Sequence, residues 1–189
     1  MSASKRDILV RKALEVFYRN GFHATGMDML AAETNVSKTS MYKHFRTKED
    51  LILASLRLRD EMFRNWLVRR MEELAESPRG QLLALYDALG EWFEEETYNS
   101  CMFIKAASEY PEMDHPIHLI SAEHKRLIRK HLIELCREAG AADPEALARR
   151  LLLLKEGAIV TAHVQGADGV AMDAKKAAAL FIDDALGAD

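Results

Sequence analysis

The sequence predicts an all-α protein of about nine helices: a small N-terminal three-helix unit, one long helix, and a larger helical body. Three observations carry that prediction. Apolar residues recur three and four positions apart along most of the 189 residues, the spacing of one helix face. Only nine Gly and four Pro interrupt the chain, and the Pro residues fall between stripes rather than inside them. Small polar residues suited to capping stand just before several stripes, at Ser37, Thr47, Ser77 and Asp143.

Each element follows from its own residues. Helix 1 spans about Lys5 to Arg19, with Ile8, Leu9, Ala13, Val16 and Phe17 inward and Gly21 ending it. Thr25 and Asp28 fit a capping arrangement for helix 2, whose buried stripe is Met27, Leu30 and Ala31. Asn35 is the turn residue, because Asn tolerates a left-handed backbone. Ser37 caps helix 3, in which Met41 and Phe45 share the inward face. Thr47 and Asp50 cap helix 4, about Lys48 to Glu76, with a stripe through Leu51, Ser55, Leu58, Met62, Trp66 and Leu74. Ser77-Pro78 opens helix 5, which runs to about Glu95. Helix 6 covers about Cys101 to Glu109, helix 7 about Ile117 to Ala139, and Gly140 closes the latter. Asp143-Pro144 opens helix 8 through about Gln165, and a last helix runs from about Asp173 to Leu186.

Helix 3 carries the functional signal. With Met41 inward, Thr39, Ser40, Tyr42 and Lys43 point away, and Lys38 and His44 lie on the flanks. A helix with an apolar back and a small, polar, basic and aromatic front is what a DNA major groove accepts. Lys38 and Thr39, at the N-terminal end, suit base edges; Tyr42, Lys43, His44 and Lys48 suit phosphates. The plainer alternative is a solvated face on an ordinary pair of capped helices.

Charge distribution favours the DNA reading. The whole chain carries −4. Residues 1–48 nevertheless hold nine Lys/Arg against four Asp/Glu, a net +5, while the remainder carries −9. A basic head on an acidic body fits a nucleic-acid partner. Two cysteines make no disulfide framework, and no signal segment precedes helix 1, so the expected compartment is the cytoplasm. The most apolar run, Leu151 to Val164, is interrupted by Lys155 and Glu156, so no membrane span is expected.

Residues 5 to 53 resemble the N-terminal domain of the TetR (tetracycline repressor) family. The resemblance rests on Ile8, Ala13, Phe17, Gly21, Phe22, Thr25, Met27, Leu30, Ala31 and, above all, on Val36-Ser37-Lys38-Thr39-Ser40-Met41-Tyr42-Lys43-His44-Phe45 followed by Lys48-Glu49-Asp50-Leu51. Asn35 and Thr39 stand where the family often has Gly. The resemblance implies a helix-turn-helix DNA-binding domain over residues 1–48 and an effector-binding and dimerisation domain over 49–189. It implies phosphate contacts at Thr25, Tyr42, His44 and Lys48, and base contacts around Lys38, Thr39 and Lys43. It also implies a homodimer that represses transcription from a palindromic operator and leaves it when a small molecule binds, with helix 4 as coupler.

Two further sites are expected in the body. Phe63, Trp66, Tyr86, Trp92, Phe93, Met102, Phe103, Tyr110, His118 and His124 are candidates to line an apolar effector pocket, with plain core packing as the alternative. For the dimer the candidates are Leu147, Leu151, Leu154 and Ala158 on helix 8, with Ala174, Ala178, Phe181, Ile182 and Ala185 on the last helix. His115 and His118 have i, i+3 spacing, but Pro116 intervenes, so no metal and no cofactor is expected. Cys101 near Lys105 offers a redox-sensitive thiol, or an inert buried one. No nucleophile–base–acid set, phosphate-cradling loop or dinucleotide fingerprint is present. A helical-bundle enzyme, or a small-molecule binder without DNA function, is therefore the second hypothesis.

Overall fold

The computed structural model describes residues 4–187; residues 1–3 and 188–189, the outer limits of the two expected domains, lie outside the described residues. The described residues form nine helices and no strand: α1 (Lys5–Asn20), α2 (Met27–Thr34), α3 (Lys38–His44), α4 (Lys48–Leu74), α5 (Pro78–Phe93), α6 (Met102–Glu109), α7 (Pro116–Glu138), α8 (Pro144–Gln165) and α9 (Val170–Leu186). They group into two compact units that do not follow chain order. Of the described residues, the first comprises 4–63 and 102–124; the second comprises 64–101 and 125–187.

In the first unit, α1, α2, α3 and the start of α4 close around Leu9, Ala13, Phe17, Phe22, Leu30, Met41, Leu51, Ile52 and Leu56, all fully buried. The local signals form as read at most ends. Gly21 ends α1 at φ 82°. Asn35 ends α2 at φ 55°, ψ 37°, the left-handed conformation expected of it. Ser37 accepts from the Ser40 N–H at 3.2 Å. Thr47 and Asp50 bond each other's backbone N–H reciprocally, at 3.0 and 3.1 Å. Each such cap satisfies a donor that the helix geometry leaves orphaned.

The second unit is held by α5, α8 and α9. Leu82, Leu85, Tyr86, Leu89, Leu151, Ile159, Ala178 and Ile182 form its core. Gly90 lets α9 approach closely: a Cβ there would sit 3.2 Å from the Ala171 methyl. The Tyr86 hydroxyl donates to the Leu151 carbonyl at 2.9 Å, so this buried phenol is satisfied. Lys175 pairs with Asp87 and Arg79 with Asp183, both at 2.6 Å, at the margins of the α5–α9 contact.

Two expectations shift in phase. On α4 the buried side chains are Leu51, Ile52, Ser55, Leu56, Phe63, Leu67 and Met71, whereas Met62 is 45% and Leu74 38% exposed. Leu51 and Ser55 thus face inward as read, whereas from Met62 on the inward stripe is rotated by about one residue, through Phe63, Leu67 and Met71. The last helix begins three residues early, at Val170, where Gly169 at φ 72° lets the chain turn straight into it.

Candidate nucleic-acid interface

The turn Asn35–Ser37 and the burial of Met41 and Phe45 fix the orientation of α3. Its front is then in solvent: Lys38, Thr39, Tyr42, Lys43 and His44 are exposed and Ser40 is half-buried. Tyr42 is 51% exposed, too open for a core aromatic. These residues form one continuous polar, basic and aromatic face.

Three expected contact residues sit differently from the reading. Thr25 is fully buried, and its hydroxyl donates to the Gly21 carbonyl at 2.6 Å. It closes the α1–α2 turn, and the N-cap of α2 is Gly26, without a side-chain cap bond. Lys48 is half-buried and its ammonium donates to the Phe22 carbonyl at 3.1 Å. Lys38 is paired with Asp28 of α2, so its ammonium is already oriented within the head. The sequence offered Asp28 but nothing to say which cation it would meet.

The ten pocket candidates are divided between the two units. In the first unit, His124 is 2% exposed, stacked on Phe103 at 3.7 Å and edge-on to Phe63 at 5.9 Å. Its Nδ1 lies 2.7 Å from Asp60. Met102 is buried in the same unit. Tyr110 stacks on His115 at 4.8 Å, and His118 Nδ1 lies 3.0 Å from the Tyr110 carbonyl. The Tyr110 hydroxyl is buried with no hydrogen-bond partner among the described residues. Burial pushes that phenol up to about 12, with Glu49 and Glu109 adding to the effect. In the second unit, Tyr86 is core, and Trp92 and Phe93 pack against Tyr98 at 4.9 and 5.1 Å. Trp66 is half-buried.

A cavity of about 130 Å³ in the second unit is lined instead by Arg64, Leu67, Val68, Met71, Leu85, Leu127, Ile128, His131 and Leu132. Burial lowers the His131 pKa against the pull of Glu134, Glu72 and Glu138. None of these residues was picked out from sequence, since aliphatic stripes carry no chemical mark.

Among the described residues no group of three or more His, Cys, Asp or Glu is placed to hold a metal ion. The partner of Cys101 is Lys125, at 3.2 Å, whereas the Lys105 ammonium lies over the Tyr18 ring. Lys125 also pairs with Glu156 at 2.6 Å, and Glu156 with the fully buried Lys155 at 2.9 Å.

The dimer candidates Leu147, Leu151, Ala158, Ala178 and Ile182 are buried within the second unit, while Leu154, Ala174, Phe181 and Ala185 are half-buried. The outward apolar residues of α8 and α9 are others: Leu153 at 73% exposure, Val160 at 43%, Val164 at 72% and Leu180 at 72%. A stripe of leucines and alanines names an inward face without telling which neighbour covers it.

Comparison with known proteins agrees with this head. Residues 9–55 match the model of the bacterial regulatory proteins of the tetR family. The chain is 26% identical over 155 residues, 82% of its length and 81% of the relative's, to the HTH-type transcriptional regulator YjdC of Escherichia coli. It is 29% identical over 147 residues to the HTH-type transcriptional repressor KstR2 of Mycolicibacterium smegmatis, covering 75% of this chain and 67% of that one. The crystal structure of a TetR-family transcriptional regulator from Streptomyces coelicolor superposes with a TM-score of 0.90 at 27% identity, covering 96% of this chain and 90% of that one. Among the described residues no helix is long and apolar enough to cross a membrane. An exposed polar, basic and aromatic face on a buried two-helix support, within the residues that match the tetR family, in an all-helical chain similar over most of its length to these proteins, supports a TetR-family transcriptional regulator.

Proposed function

We propose that the protein is a cytoplasmic homodimeric repressor that binds a palindromic operator through α3 and is released by a small apolar or aromatic molecule. The observation that carries this reading is the division of α3: Met41 and Phe45 buried, Thr39, Tyr42, Lys43 and His44 presented to solvent. Thr39 and Lys38 serve as base readers; Tyr42, Lys43 and His44 serve as phosphate contacts. Dimerisation uses the outward residues of α8 and α9. Leu153, Gly157, Val160 and Val164 repeat at steps of four, three and four, so they line one side of α8. The effector enters the cavity of about 130 Å³, whose size suits a single-ring compound and whose His131 supplies a polar anchor. The similarity to a repressor, KstR2, supports the sign of regulation.

The test is selection from a random duplex library, followed by a reporter driven from the selected site. The proposal expects a palindrome with half-sites one helical turn apart, roughly 34–36 Å, and lower expression with protein present. Enrichment of a site that raises expression would make the protein an activator.

One observation favours a second reading, thiol control. Cys101 accepts from the Lys125 ammonium at 3.2 Å, whereas Cys136 has its thiol pushed up to about 11 by burial. A peroxide would convert the Cys101 thiol to a sulfenic acid with release of one water. If peroxide lowers operator affinity and Cys101→Ser abolishes the effect, control is by oxidation; an unchanged affinity leaves the small-molecule reading alone.

A further inference from the structure

We infer that Glu109, the last residue of α6, is the positioning residue that holds the α1–α2 turn in its DNA-binding conformation. The inference rests on the reading that α3 binds DNA. It starts from the backbone groups of Gly21, Phe22 and His23, which follow α1 and precede α2. Most of them are satisfied close by. The Gly21 N–H bonds the Phe17 carbonyl, and the Gly21 carbonyl takes the Thr25 hydroxyl. The Phe22 carbonyl takes the Lys48 ammonium. The N–H groups of Phe22 and His23 have no such neighbour. Both donate to one carboxylate, Glu109, at 3.0 Å from Phe22 to each oxygen and 2.5 Å from His23.

That carboxylate lies 87 positions away in sequence from Phe22. It reaches the turn because residue 21 is glycine: a Cβ there would stand 2.9 Å from Glu109 Oε1, and φ is +82°. The Phe22 backbone is thus held from both sides, its N–H by α6 and its carbonyl by α4. The Phe22 ring below is fully buried against Phe17, at 5.5 Å. His23 adds a ring contact to Tyr110 at 4.6 Å, the residue after Glu109. Bonds from N–H groups to a charged acceptor are the strong class. The turn that aims α2, and through it α3, is therefore fastened to α6.

Electrostatics alone predicts the opposite consequence. Glu109 is an anion in a head that must approach phosphates, so its removal should tighten DNA binding by charge. A positioning role predicts weaker binding. Wild type, Glu109→Gln and Glu109→Ala are compared on the selected duplex by fluorescence anisotropy over a range of salt. The expected result is affinity falling in that order, on the order of tenfold for Ala, with an unchanged slope of log affinity against log salt, since no phosphate contact is lost. In amide NMR spectra the Phe22 and His23 protons should move upfield in Glu109→Gln, a readout that does not depend on the Ala variant folding. Unchanged or tighter binding by folded Glu109→Ala, or unmoved Phe22 and His23 resonances, would overturn the inference. If wild type itself selects no duplex, the DNA reading falls, and the amide shifts alone decide whether Glu109 holds the turn.

Discussion

Glu156→Gln should cost the protein about 3 kcal/mol of stability at pH 7, and the loss should fade as pH is lowered. Glu156 accepts from Lys155 at 2.9 Å and from Lys125 at 2.6 Å, in a site where Lys155 is fully buried. Burial raises its carboxyl, but the two ammonium groups, Lys155 first, outweigh that and hold the pKa at about 2 instead of 4.5. At about 1.4 kcal/mol per pKa unit this corresponds to roughly 3 kcal/mol. Removing one partner of a buried ion pair costs about 3–5 kcal/mol, the same range. In a chain of this length the loss lowers the melting temperature by roughly 6–12 °C. A depressed carboxylate pKa stabilises the fold above the unfolded value and loses that contribution as pH falls through the folded one. The difference between wild type and variant should therefore be full above about pH 5.5, shrink below 4.5 and close near 2. Urea denaturation at fixed protein concentration, stepped from pH 7 downward, measures it. A difference below about 0.5 kcal/mol at pH 7, or one that stays flat with pH, would refute the reasoning.

Three further outcomes follow from particular contacts. Thr25→Val removes the hydroxyl bond to the Gly21 carbonyl without changing volume, so it should cost about 1 kcal/mol in denaturation and leave the salt slope of DNA binding unchanged; a slope reduced by about one would return Thr25 to the phosphates. Thr39→Ala should alter the preferred half-site while Lys43→Ala weakens all duplexes alike, as read by repeated selection; the reverse pattern would exchange their roles. Leu153→Asp combined with Leu180→Asp should yield folded monomers in sedimentation, and a surviving dimer would place the interface elsewhere.

Local chemistry was legible in the sequence wherever one residue type has one use. Asn35 in a left-handed turn, Ser37 as a cap, the Thr47–Asp50 pair and Gly21 at the end of α1 all stand as read. So does the outward face of α3, because the burial of Met41 and Phe45 decides it. What escaped were choices among partners. Thr25 has one hydroxyl and two possible acceptors, phosphate or the Gly21 carbonyl. Lys48 reaches the Phe22 carbonyl and Lys38 reaches Asp28, partners that lie within the head itself. Leu147 and Leu151 read as an interface stripe, yet α5 and α9 cover the inner face of α8, leaving Leu153 and Val164 outside. Glu109 gave no signal, since its role exists only once α6 meets the α1–α2 turn.

Selection of duplexes by the folded protein, run in parallel with a Thr39→Ala, Tyr42→Ala double variant, tests the central claim most directly. The account predicts that wild type enriches a palindrome with half-sites centred one helical turn apart, and that the variant, still folded and dimeric, loses or changes it. Enrichment of the same palindrome by both proteins, or of none by the wild type, would contradict the assignment of α3 as the helix that reads DNA.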